Sequence, residues 1–164
     1  MQTREWLEKM RPLSRRWGQF WMFQAHLYAS RSTCLRKQVG AVFVRDRRCI
    51  SAGYNGSMPG LAHCTDEGCL ILEDRKGCQR TTHAEANAIA HAANNGLSLK
   101  GCQLYVTVCP CLTCFHSVIQ AGVRVIYYAE EYRESHALEV AKQMPGVSLI
   151  HYPLDPAFLS LAGA

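Results

Sequence analysis

The sequence predicts an α/β domain with three layers, α/β/α, built around one mixed sheet of about five strands. Three observations carry that reading. Helical and extended hydrophobic patterns alternate along most of the chain, the first two extended runs are adjacent and read as a hairpin, and glycine or proline marks most of the joints.

The elements follow in order. WGQFWMFQAHLYASRS, residues 17–32, places aromatic and aliphatic residues at helical spacing and reads as a first helix whose aromatic stripe faces the core. QVGAVFVRD and RCISAGYNG are β-rich runs centred on Val42 and Ile50, and the polar Asp46-Arg47-Arg48 joins them. From Gly56 to Thr81 periodicity fades while glycines, charges and three cysteines accumulate, so this long loop needs support of its own. THAEANAIAHAANNG begins a helix at Thr82, runs to Asn95 and stops at Gly96, a residue suited to the turn past a helix end. Gln103 to Val108 is a strand. CLTCFHSVIQAG opens after Pro110 and closes on Gly122, which is how a helix is punctuated. VRVIYYAE is a strand near Val125, Glu134 to Met144 is patterned as a helix, Pro145-Gly146 breaks it, and VSLIHYP supplies a last short strand. No repeat, low-complexity tract or linker interrupts this order, and 164 residues suit one domain.

Composition narrows the function classes. No stretch approaches the ~20 apolar residues of a membrane span. The start MQTREWLEKMRPLSRRW is charged throughout and lacks the apolar centre of a secretory signal, so a cytoplasmic protein is expected. Nine cysteines in a reducing compartment suggest metal ligands more than disulfides. The first 48 residues hold eleven Lys/Arg against three Asp/Glu, and the remainder is slightly acidic. Such a basic third suits a phosphate-bearing partner, either a nucleotide or a nucleic acid, and it equally suits a solvated basic surface.

The chemistry concentrates in two short motifs. His83 and Glu85 stand two residues apart at a helix start, where positions i and i+2 point about 200° apart and cannot grip one object from the helix flank. A structural reading competes, because Thr82 followed by Glu85 has the form of a capping box. Pro110-Cys111-Leu112-Thr113-Cys114 is a C-x-x-C at another helix start, with both sulfurs on one face and the helix dipole favouring thiolate. If these two helix ends meet, His83, Cys111 and Cys114 make three ligands for one ion and leave the fourth tetrahedral position to water, the pattern of a catalytic zinc. Glu85 would then stand beside that water as its base.

H-x-E followed by P-C-x-x-C resembles the signature of zinc-dependent nucleobase deaminases. Within that superfamily HAEANAI, YVTVCPCLTC, VGAV and the GYNGSMPG loop resemble deoxycytidylate (dCMP) deaminases, especially the bacterial type encoded in late-competence operons. The resemblance covers roughly Trp17 to Tyr132. It implies a cytidine-deaminase-like fold over residues 17–152, flanked by a basic N-terminal extension, 1–16, and a C-terminal tail, 153–164. It implies hydrolysis of dCMP to dUMP and ammonia by a zinc-bound hydroxide, with Glu85 passing a proton from the water to N3 of cytosine and then to the departing amine. Asn55 would hold the base and sugar, and the Ala84 amide would touch the pyrimidine. For the 5′-phosphate the candidates are Arg31, Ser32, Arg36 and Lys37, just ahead of the first strand.

Some dCMP deaminases also carry a structural zinc that uses cysteines at the Cys34 and Cys64 positions. Here Cys69 and Cys78 are available to complete a four-cysteine site, with His63 as a substitute ligand, while Cys49, Cys102 and Cys109 read as buried small apolar residues. Members of the family are often homohexamers activated by dCTP and inhibited by dTTP with a divalent ion such as Mg²⁺. If that regulation is present, Gly40, Tyr54 and Gly56 mark where the effector would sit.

Two rival functions use the same residues. A zinc deaminase with another substrate, such as tRNA adenosine, dCTP or a different cytosine nucleotide, would keep the chemistry, and an RNA substrate would show binding that falls steeply with salt. A zinc-stabilised nucleic-acid-binding module without catalysis would need closed four-ligand sites, and it leaves Glu85 unexplained.

Overall fold

A computed structural model of the chain describes residues 16–73, 77–132 and 135–158. Twelve elements are named here: α1 (Trp17–Ala29), β1 (Gly40–Arg45), β2 (Arg48–Tyr54), β3 (Gly56–Ser57), α2 (Cys64–Glu67), β4 (Thr81–Thr82), α3 (Ala84–Asn94), β5 (Gln103–Val108), α4 (Leu112–Gln120), β6 (Val125–Glu130), α5 (Ala137–Lys142) and β7 (Ser148–His151). Five strands form one sheet in the order β2-β1-β5-β6-β7. β1 runs antiparallel to β2 and β5, whereas β5, β6 and β7 run parallel, so the sheet is mixed as expected. The β1-β2 turn needs only Asp46 and Arg47, both with positive φ, 52° and 57°, the conformation that a two-residue hairpin demands.

Alternation along the strands sorts the core into two layers. Ala41, Phe43, Leu104 and Val106 face α3, α4 and α5, while Val42, Val44 and Tyr105 face α1 through Trp21, Met22 and Ala25. Small residues bring helices down onto the hairpin from both sides. A Cβ on Gly40 would lie 2.0 Å from the Ala25 carbonyl oxygen, and one on Gly53 would lie 2.6 Å from that of Ala84. Ala84, Ala88 and Ala92 form the buried stripe of α3, which explains why the helix is alanine-rich: larger side chains would lift it off β2. α3 and α4 each end with a left-handed glycine. The Leu97 amide donates to Ala92 and the Val123 amide to Val118, as in a Schellman motif.

Several boundaries differ from expectation. α1 ends at Ala29 rather than Ser32, and α5 covers Ala137–Lys142 rather than the longer Glu134–Met144. The long loop holds the four-residue α2 and two strands of two residues each, with Gly56 paired to Thr82 and Ser57 to Thr81. Thr82 therefore belongs to β4 and is not the cap of α3. That position is taken by His83, with extended backbone (φ −67°, ψ 153°), so the capping box does not form. Cys49 is exposed near the hairpin turn on edge strand β2, contrary to the buried role expected, whereas Cys102 and Cys109 are buried. Residues 1–15 of the expected extension and 159–164 of the expected tail lie outside the described residues. Of the tail, Phe158 is buried against Phe23, and Gln19 bonds both the Pro153 carbonyl and the Asp155 amide, so the packing reaches at least that far.

Candidate active site

Two helix starts converge at the ends of β4 and β5. His83 caps α3 and Cys111 caps α4, its sulfur accepting from the Cys114 amide at 3.5 Å. His83 Nδ1 lies 3.6 Å from Cys111 Sγ and 3.4 Å from Cys114 Sγ, and the three donor atoms all lie within 4.8 Å of one another. Zn–S of ~2.3 Å and Zn–N of ~2.0 Å at tetrahedral angles give an N···S edge of about 3.6 Å. The donor set thus fits a zinc ion in both chemistry and spacing. Cys111 is already disposed to carry charge. Its thiol is pushed down to about 4, first by the hydrogen bond from the Cys114 thiol and then by His83 and the Cys114 amide, against the opposing effect of burial.

Because His83 precedes the helix and Glu85 lies within its first turn, the two side chains do not share a helical flank. Glu85 is 3% exposed, and burial raises its carboxyl above the ordinary carboxylate range. A carboxyl pushed toward neutrality next to three metal-type donors is suited to take up and release a proton.

His83, Glu85 and Cys111 sit in the wall of a cavity of about 510 Å³. Among the expected substrate residues, Asn55, Ala84, Arg36 and Lys37 line it, and Arg31 and Ser32 do not. Ser32 acts one step back, its hydroxyl donating to the Asn55 carbonyl at 2.8 Å. The Asn55 side chain accepts from the Val39 amide at 2.7 Å and donates to the Lys37 carbonyl at 2.8 Å, which fixes its orientation and leaves one N–H and one lone pair. Gly40 lies beneath α1, Gly56 is buried in the β3-β4 ladder, and Tyr54 accepts from Asn87 through its carbonyl; none of the three lines the cavity. Cys109, Gln79, Thr81 and Tyr132 line it without having been expected. They come from three separated segments, Gln79 with Thr81, Cys109, and Tyr132, and no spacing rule links them.

A second cluster lies nearby. The sulfurs of Cys64, Cys69 and Cys78 lie within 4.8 Å of one another, with Cys64 and Cys78 3.6 Å apart, close to the ~3.8 Å S···S edge of a tetrahedral zinc site. Cys34 lies outside that group but near enough to Cys69 to influence it electrostatically. His63 instead places Nδ1 3.1 Å from the Thr33 hydroxyl.

Residues 15–130 match the sequence pattern of the cytidine and deoxycytidylate deaminase zinc-binding region. The chain belongs to this deaminase family. It is similar to ComE operon protein 2 of Bacillus subtilis (strain 168), 46% identical over 145 residues, covering 88% of this chain and 76% of that protein. It is also similar to the deoxycytidylate deaminase of Saccharomyces cerevisiae, 37% identical over 131 residues, covering 77% of this chain and 42% of the yeast protein. Among solved structures, the dCMP deaminase of cyanophage S-TIM5, in complex with dCMP and dUMP, superposes with a TM-score of 0.69 at 33% identity, covering 80% of this chain and 93% of that one. The family is one of zinc-dependent hydrolytic enzymes, and His83, Cys111 and Cys114 have the chemistry and spacing to hold such an ion.

Proposed function

We propose that the protein hydrolyses dCMP to dUMP and ammonia and so supplies dUMP for thymidylate synthesis. The observation that carries this reading is the buried Glu85 beside His83 and Cys111 in the wall of a cavity that also holds the cations Arg36 and Lys37, with the Cys114 sulfur grouped with those two donors. A zinc ion held by the three donors supplies Lewis acidity that brings the pKa of water down to ~7. Glu85 accepts one proton of the attacking water and delivers it to N3 of the cytosine, then takes the second proton from the new C4 hydroxyl and gives it to the amine as the C4–N bond breaks and the carbonyl forms, so that water and dCMP leave as dUMP and ammonia. Asn55, with one N–H and one lone pair to spare, orients the nucleotide, and the Ala84 amide meets the pyrimidine. The 5′-phosphate is assigned to Arg36 and Lys37. Likeness to dCMP deaminases over most of the chain supports the substrate. No observation here favours an RNA substrate or a non-catalytic module.

The remaining assignments rest on family likeness and on local chemistry. A second, structural zinc on Cys64, Cys69 and Cys78, with Cys34 as fourth ligand, would tie the long loop to the body. Homohexamer assembly, dCTP and dTTP as effectors with Mg²⁺, and a cytoplasmic location complete the reading. Among the described residues no helix is long and apolar enough to cross a membrane.

The phosphate assignment is tested by the double substitution Arg36→Ala/Lys37→Ala. KM for dCMP should rise about tenfold or more, while KM for deoxycytidine stays within about twofold. Equal changes for both substrates would remove the two cations from the phosphate site.

A further inference from the structure

Lys37 does not meet the cavity as a free cation. Its Nζ lies 2.7 Å from Glu130 Oε2, with the two side chains 48% and 56% exposed. An ion pair this exposed contributes little to folding and exchanges its partner readily. Both ends are nonetheless held in place by backbone contacts at the site. The Lys37 carbonyl accepts from Asn55, and the Glu130 carbonyl accepts from the Cys109 amide at 2.8 Å, with Glu130 in register with Val108. Asn55, Cys109 and Val108 all line the cavity. The nearby Arg80 is already held by Glu67 at 3.1 Å. The rim thus offers two cations, Arg36 and Lys37, and sets a carboxylate on an anchored backbone against the second.

We propose that Glu130 is a specificity-determining residue for phosphate charge: its carboxylate competes with the substrate's 5′-phosphate for Lys37 and makes binding progressively worse as phosphate charge grows. This rests on the assignment of the phosphate to Arg36 and Lys37. A nucleoside monophosphate takes over Lys37 and leaves Glu130 to solvent, at the cost of one repulsive interaction. A diphosphate brings more negative charge to the same carboxylate and is penalised further. A nucleoside without phosphate does not feel it.

Glu130→Gln removes the charge and keeps the shape and one acceptor for Lys37, so it separates repulsion from architecture. KM, or Ki for a compound that does not turn over, is measured with deoxycytidine, dCMP and dCDP at low ionic strength. The variant should leave deoxycytidine within about twofold, lower the value for dCMP about threefold and that for dCDP about tenfold, with kcat for dCMP unchanged and with the gains shrinking as salt is added. An equal shift for all three compounds, no shift, or a rise for dCMP would overturn the proposal. In parallel, Lys37→Ala should raise the dCMP value relative to deoxycytidine. If that ratio stays put, the phosphate assignment itself fails, whatever Glu130→Gln does.

Discussion

Glu85→Gln is expected to lower kcat for deamination by about 10²–10⁴-fold while the chain keeps its zinc and still binds dUMP. The substitution preserves the size of a side chain that is 3% exposed, so the fold has no reason to rearrange, and it removes a carboxyl beside the donors that can carry a proton. Glu85 is not one of the three donors that come together, and its loss should therefore leave metal content untouched. Kinetics on the zinc-loaded variant, with zinc measured on the same sample, check the point. Loss of zinc along with activity would make Glu85 a structural residue, and undiminished turnover would remove it from the reaction.

The second large effect belongs to Cys114→Ala. Cys114 is buried in the first turn of α4 with its sulfur 3.4 Å from His83 Nδ1, and its amide donates to the Cys111 sulfur. Alanine keeps the amide and removes the sulfur, leaving two protein donors where a zinc ion needs three or four. Zinc per chain should fall from about two to about one, the remainder held by the Cys64, Cys69 and Cys78 cluster, and deamination should drop to background. A wild-type value near one would remove the second site from the account. A variant with unchanged zinc and turnover would show that α4 does not hold the catalytic ion.

What was legible in the sequence depended on whether a local rule tied the residues together. α3 and α4 announced themselves through helix punctuation, with Gly96 and Gly122 at their ends and Pro110 ahead of Cys111. Because helix starts are local, H-x-E and P-C-x-x-C were enough to anticipate that His83, Cys111 and Cys114 come together with Glu85 close by. The same logic misassigned Thr82: a threonine three residues before a glutamate has the form of a cap, yet pairing of β4 with β3 draws Thr82 away and leaves the cap position to His83. Two-residue strands have no periodicity to detect. Cavity residues such as Thr81, Cys109 and Tyr132, and Glu130 at its rim, meet only after the chain has closed, and nothing in their spacing foretells it. Of the four phosphate candidates, all within residues 31–37, Arg36 and Lys37 line the cavity while Arg31 and Ser32 do not, a difference set by the path of the chain between α1 and β1. Gly40 has a packing role that its sequence context does not show, because α1 approaches it so closely that a Cβ would lie 2.0 Å from the Ala25 carbonyl oxygen.

The central claim is that this zinc centre acts on a free cytosine nucleotide carrying one phosphate. It is tested most directly by ammonia release from the zinc-loaded protein offered dCMP, dCTP, deoxycytidine, CMP and an adenosine-containing RNA in parallel. The account predicts the highest kcat/KM for dCMP, with dUMP formed in equal amount to ammonia. Ammonia from the RNA alone, or from none of the five, would contradict it.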